Sequence, residues 1–195
     1  MHHRRIHFGI ESGNEQVLRL IRKGVDLQRA REVLTWCRAI GIETHAYFMV
    51  GFPGEGHAEA QDTIRYALAL DCDYVHVAVT TPFPGTELYR LGLETGVFKQ
   101  DYWRDFARNP TADFVPAVWE DKLTREQMIG YMMTLYRKFY MRPRVLARHF
   151  SRLRSLREFR AKAGAGFRLL LRTLRRSPPN ASVRGAIPPD PGACE

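Results

Sequence analysis

An α/β fold with parallel strands is what this 195-residue chain predicts, and three observations predict it. Three short β-rich runs, residues 6–10, 43–50 and 74–79, each end in a Gly-, Pro- or Asn-bearing turn. Helical periodicity follows each turn, so strands alternate with helices, and such alternation joins parallel strands by right-handed crossovers. The composition agrees: 45% hydrophobic and 26% charged residues can build a core, which excludes a wholly disordered or collagen-like chain.

The elements follow in order. Ile6 to Ile10 reads as a short buried strand closed by Glu11-Ser12-Gly13-Asn14. Val17, Leu18, Leu20 and Ile21 then lie on overlapping helical faces, and Asp26 can cap a second helix carrying Ala30, Val33, Leu34, Cys37 and Ile40 up to Gly41. Glu43 to Val50 is a second strand running into Gly51-Phe52-Pro53-Gly54-Glu55-Gly56, and a helix is predicted from about Ala58 to Leu70. Tyr74 to Val79 is the third strand. Its turn, Thr80 to Thr86, leads to a helix from Glu87 to Leu93. In parallel sheets and barrels ligands bind at the carboxyl ends of the strands, so the three turns are expected on one face as the site.

Four segments result. Residues 1–96 form the strand–helix unit, and 97–143 a looped and helical cover with a helix from Thr124 to about Tyr140. Residues 144–176 read as basic amphipathic helices, and 177–195 as a Pro-rich disordered tail. The formal charge of +9 belongs to one stretch, because residues 137–176 hold 14 Lys+Arg against one acidic residue. Three readings of that stretch stay open: a solvated amphipathic helix, adsorption to an anionic membrane through leucines opposite arginines, and nucleic-acid binding. No apolar run reaches the roughly 18 residues of a membrane-spanning helix, and Met1 to Arg5 leads into a strand rather than a signal peptide's apolar stretch. The three cysteines, Cys37, Cys72 and Cys194, are odd in number and far apart, which fits a reducing cytoplasm better than a disulfide framework.

The turns carry a resemblance. IHFGIESGNEQVLRLIRKGV, then HAYFMVGFPGE, then VTTPFPGTELY resembles the second half of a radical S-adenosylmethionine (SAM) enzyme. It is most similar to the class with a preceding cobalamin-binding domain, the anaerobic magnesium-protoporphyrin ester cyclases among them. Residues 4–92 carry the likeness, and KFYMRPRVLARHF is similar to that class's tail. The resemblance implies a partial (β/α) barrel, of which the strands here are the fourth to sixth, followed by an α-helical C-terminal extension. It also implies a [4Fe-4S] cluster and SAM, cleaved reductively to a 5′-deoxyadenosyl radical, with cobalamin in an N-terminal domain. The family's cluster loop is C-x3-C-x2-C, which Cys37, Cys72 and Cys194 cannot form. The expectation is therefore a C-terminal fragment that is inactive alone and needs the N-terminal half, or a separate chain supplying it. The alternative function is a non-catalytic module docking on membrane or RNA through its basic helices.

Site residues follow from the resemblance. Glu11 and Ser12, after the fourth strand, are expected to hydrogen-bond SAM's amino-acid or ribose part, against a capping role for Ser12 or Asn14. Lys23 matches a position that pairs with SAM's carboxylate, as Lys where relatives have Arg. Tyr47 matches a position near the ribose. Val50 is expected to pack on adenine, with Gly51 letting the backbone approach it. Glu55 is expected to hold its loop by accepting backbone N–H bonds. Pro82, Pro84 and Gly85 belong to a turn whose backbone can bond adenine, against a plain proline-constrained turn. His7, His45 and His76 fall inside strands and read as structural, although His45 and Tyr47 share one side of theirs.

Overall fold

A computed structural model describes residues 4–151. Its elements are β1 (Arg5–Glu11), α1 (Glu15–Leu20), α2 (Leu27–Ala39), β2 (Glu43–Val50), α3 (His57–Ala69), β3 (Tyr74–Val79), α4 (Glu87–Glu94), α5 (Tyr102–Arg108), α6 (Arg125–Tyr140) and α7 (Pro143–Ser151). The three strands form one sheet in the order β1-β2-β3, parallel throughout. The second and third strands occupy the predicted residues, whereas α5 forms where only a looped stretch was expected. The basic segment beyond Ser151 and the Pro-rich tail lie outside the described residues, and among the described ones no helix is long and apolar enough to cross a membrane.

Local chemistry sets the helix starts. Asn14 accepts from the amides of Gln16 and Val17, Asp26 from that of Arg29, and Thr86 from that of Tyr89. Thr124 and Gln127 form a reciprocal capping box at the start of α6.

Alternation along the strands then divides the sheet into two unlike faces. Thr44, Ala46, Phe48 and Val50 of β2, with Val75 and Val77 of β3, are buried beneath the helices. There α2 packs on β2, and α6 packs on β3 and α3, so that Leu34, Ile64, Met128, Leu135 and Phe139 complete the core. The side chains of opposite parity, His7, His45, Tyr47, Tyr74 and His76, stay half-buried or exposed on a face that no helix covers among the described residues.

The amino-terminal end of the sheet is fastened by charge. The turn Asp71-Cys72-Asp73 receives Arg38 from α2 and Arg144 and Arg148 from α7, at 2.7, 3.1 and 2.9 Å from Asp71. Asp73 also accepts from the Thr44 amide at 3.0 Å, locking β2 to the start of β3. Arg142 donates to the carbonyl of Leu68. Thus Arg142, Arg144 and Arg148, the first arginines after α6, serve the fold, and only those beyond Ser151 are left to the docking readings.

The outer edge of β3 is closed by two phenols. Tyr136 Oη takes the Val77 amide at 2.9 Å and donates to its carbonyl at 3.1 Å; Tyr140 Oη does the same for Val75 at 3.2 and 2.9 Å. The geometry matches because four residues of helix rise about 6 Å and two residues of strand about 6.6 Å. A pair of tyrosines one helical turn apart therefore stands in for a neighbouring strand. Replacing Tyr140 by Phe should lower stability in urea by roughly 1–3 kcal/mol, the cost of leaving buried backbone groups unpaired. Sedimentation should show increased self-association through the reopened edge; a Tyr140→Phe chain as stable and as monodisperse as the parent would show that the edge is not held in this way.

Candidate functional site

Because the three strands are parallel, their turns leave the same end of the sheet: Glu11-Ser12 after β1, Gly51-Phe52 after β2, Thr80-Thr81 after β3. The Thr80 amide donates to the Val50 carbonyl at 2.8 Å, which carries the β2–β3 pairing into the turns.

Glu11 is the most unusual residue at this end. The register of β1 against β2 slips between Gly9 and Glu11, and Glu11 has φ 70°. A non-glycine residue pays about 1 kcal/mol or more for that left-handed conformation, a cost that clusters at functional turns. The consequence is directional: the Glu11 carboxylate folds back over Gly9 and meets Lys23 Nζ at 3.2 Å. A Cβ on Gly9 would lie 2.8 Å from Glu11 Oε1 and 3.4 Å from Lys23 Nζ, so the missing side chain at Gly9 makes the bed for this ion pair. Both partners keep some exposure, 39% for Lys23 and 21% for Glu11.

The same row of the sheet continues across Tyr47 to His76, since Gly9 pairs with Tyr47 and Tyr47 with His76. One row lower, His7, His45 and Tyr74 are register partners. Neighbouring rings stand 4.8 to 5.6 Å apart, giving a continuous layer of imidazoles and phenols. His7 Nδ1 and Tyr47 Oη are hydrogen-bonded at 2.9 Å. The histidines, read from sequence as separate structural residues, are thus brought together. Their common strand parity was the available signal, and it becomes decisive only once the register is known.

Several predicted site residues have other work. Ser12 is fully buried, bonded to Thr63 Oγ1 at 3.0 Å and accepting from the Asn14 amide, so its hydroxyl ties the β1 turn to α3. Val50 is 1% exposed within the core, because its strand parity is that of Phe48 and Ala46 and its side chain goes to the helices. Gly51 does have φ 93°, but the space its missing side chain leaves is filled by Met128 Sδ, 2.6 Å from where a Cβ would sit. The Pro82 carbonyl already accepts from the Trp103 indole at 3.0 Å. Pro84 and Gly85 are exposed and line a cleft of about 680 Å³ with Tyr89, Arg90, Asp101 and Trp103. A second groove, of about 570 Å³, runs between α3 and α6 on the helical side of the sheet, away from the open face.

Glu55 Oε2 accepts from the amides of Gly51 at 2.6 Å and Phe52 at 3.0 Å, folding the loop around a carboxyl group with no exposure. Burial pushes its pKa up to about 7, against the lowering effect of the two amides. Oε1 meets no hydrogen-bond partner among the described residues.

The two cysteines among the described residues do not fit an iron–sulfur cluster. Cys37 on α2 and Cys72 before β3 are both buried, and burial drives the Cys72 thiol up to about 12, away from the thiolate a cluster needs. Among the described residues no group of three His, Cys, Asp or Glu is placed to hold a metal ion. The Glu11–Lys23 pair beside the half-buried Tyr47 does fit the amino-acid end of SAM, whose carboxylate and ammonium carry the complementary charges.

A parallel strand–helix sheet defines an α/β protein, and comparison of the sequence places it among known ones. Residues 2–67 match the Radical SAM superfamily, and the chain belongs to that superfamily. It is 32% identical over 141 residues to an uncharacterized methyltransferase of Pyrococcus horikoshii, covering 72% of this chain and 30% of that protein. It is 25% identical over 156 residues to the anaerobic magnesium-protoporphyrin IX monomethyl ester cyclase of Rubrivivax gelatinosus, covering 79% and 26%. A cytidylyl-2-hydroxyethylphosphonate methyltransferase of Streptomyces wedmorensis is 31% identical over 96 residues, 46% of this chain and 18% of that one. The chain thus spans less than a third of the length of these relatives.

The Glu55 environment makes a pH prediction. A carboxyl raised from its ordinary 4.5 to about 7 binds its proton more tightly in the folded than in the unfolded chain. Its contribution is fully present below about pH 4.5 and is lost as pH rises through 7, a change of roughly 3 kcal/mol. Glu55→Gln, which imitates the protonated form, should be at least as stable as the parent at pH 8 and gain nothing at pH 5 in urea titrations. Equal effects at both pH values would mean that the carboxyl is ionised throughout.

Proposed function

We propose that this chain supplies the SAM-facing portion of a radical SAM enzyme. Its three strands serve as the fourth, fifth and sixth of a partial barrel, and the cluster ligands and earlier strands come from further polypeptide or a separate chain. The observation that carries the reading is the Glu11–Lys23 pair, held over Gly9 at the carboxyl end of a parallel sheet whose open face bears polar rings. The asymmetry of the edges supports it: β3 is capped by Tyr136 and Tyr140, which leaves β1 as the edge for further strands.

In this reading Lys23 takes the carboxylate of SAM and Glu11 its ammonium, each exchanging one partner for another of the same charge, so the site pays little to open. Tyr47, bonded to His7, lies in the same row for the ribose. Ser12, Val50, Gly51 and Glu55 shape the turns from behind and need no ligand contact. SAM would supply the 5′-deoxyadenosyl group on which the superfamily's hydrogen abstractions depend. Cobalamin in a preceding domain and a methyl-transferring or ring-closing reaction belong to the same proposal for the whole protein, and are supported only by the relatives' names.

Equilibrium dialysis with radiolabelled SAM tests the pair. Lys23→Ala and Glu11→Gln should each weaken binding by about tenfold while leaving the urea midpoint nearly unchanged, because a half-exposed ion pair contributes little to folding. Binding that is unaffected by both substitutions would remove the pair from the site. Iron–sulfur reconstitution of this chain alone should give no [4Fe-4S] absorbance, and a stoichiometric cluster would overturn the division of labour proposed here.

A further inference from the structure

Tyr136 does more than close an edge. Its Oη lies 2.9 Å from the Val77 nitrogen, 3.1 Å from the Val77 oxygen and 3.3 Å from His76 Nδ1. A phenol has one proton and two lone pairs. The Val77 amide donates to one lone pair. The Val77 carbonyl can only accept, so it takes the phenolic proton. What is left for His76 is the second lone pair, and all three contacts are satisfied together only when Nδ1 carries the ring proton. Giving the phenolic proton to Nδ1 instead would strip the carbonyl of its donor on the edge of the sheet, at the cost of an unpaired acceptor.

The far nitrogen of the ring, Nε2, is then a lone pair. His76 lies in the row Gly9–Tyr47–His76 of the open face, half-buried, with its ring 5.4 Å from that of Tyr47. The titratable groups facing it are Tyr47 from β2 and Tyr136 from α6. Burial depresses the basicity of the ring below the ordinary imidazole, so it is neutral at pH 7.

We propose that His76 is a ligand-facing residue of the open face, presenting Nε2 as a neutral hydrogen-bond acceptor to an O–H or N–H group of the substrate, and that Tyr136 is its positioning residue. A neutral acceptor selects against a carboxylate at that point, since an ionised carboxylate has no proton to offer, so the substrate class is one with a hydroxyl, amide or ring N–H there. The assignment of the face as a substrate site rests on the radical SAM reading. The tautomer and its control by Tyr136 do not.

Long-range ¹H–¹⁵N correlation spectra of the full chain at pH 7 test the tautomer. His76 should be predominantly Nδ1–H, and Tyr136→Phe should move it several-fold toward Nε2–H, whereas Tyr140→Phe, which breaks the equivalent edge contact on Val75, should leave it unchanged. A parent chain with Nε2–H at His76, or an equal response to both substitutions, overturns the proposal, and the parent spectrum decides even where a variant does not fold. Diethylpyrocarbonate followed by peptide mass spectrometry tests access: His76 should be modified at pH 7, and an unreactive His76 with the expected tautomer would show Nε2 turned away from any ligand. If SAM fails to bind while both His76 results hold, the SAM assignment falls and the His76 unit stands.

Discussion

Everything in this molecule depends on three parallel strands holding one register. Parallel pairing sends alternate side chains of all three strands to the same side, so parity alone decides whether a residue joins the core or the open face. Helices α2, α3 and α6 need an apolar surface and receive one from Ala46, Phe48, Val50, Val75 and Val77. The polar rings and the Glu11–Lys23 pair are what remains on the other side. A slip of one residue in β2 would send His45 and Tyr47 into the core and Phe48 into the open, so the burial of one face also specifies the chemistry of the other.

The two ends of the sheet divide the labour. At the amino end, Asp71 and Asp73 gather Arg38, Arg144 and Arg148 from separate helices, and Asp73 is 2% exposed. Such buried charges are costly to separate, so the cluster fixes α2 and α7 against the start of β3. At the carboxyl end the charges are half-exposed and paired one to one. Ion pairs in that state can change partners at small cost, which suits the SAM contact proposed for this end. Stability is concentrated where no ligand is expected, and the strained conformation of Glu11 sits at the opposite end.

Much of the fold was legible in the sequence because each strand is followed by a turn of distinctive composition and several helices begin with a side chain that caps them, Asn14, Asp26, Thr86 and Thr124 among these. The site was less legible. Val50 and Ser12 are at the right height along their strands, but sequence position near a turn does not reveal which way a side chain leaves the sheet, and both leave it toward the helices. The room at Gly51 went to Met128, some eighty residues away along the chain. Tyr136 and Tyr140 read only as part of an amphipathic helix, because their hydroxyls act on the backbone of β3, and backbone partners leave no mark in sequence. The arginines after α6 looked like a docking surface for the same reason: their acidic partners lie some seventy residues earlier.

The two edges of the sheet are finished differently. An edge strand needs partners for alternate amides and carbonyls, and β3 finds them in the two phenols of α6, a solution that ends the sheet on that side. Helix α6 can reach that edge because it already packs on β3 and α3 through Met128, Leu135 and Phe139, so core packing and edge closure are achieved by different faces of one helix. No equivalent helix lies along β1 among the described residues, and Ile6 there is 39% exposed. Core packing thus closes one edge of the sheet and leaves the other, β1, as the edge on which the proposed function depends.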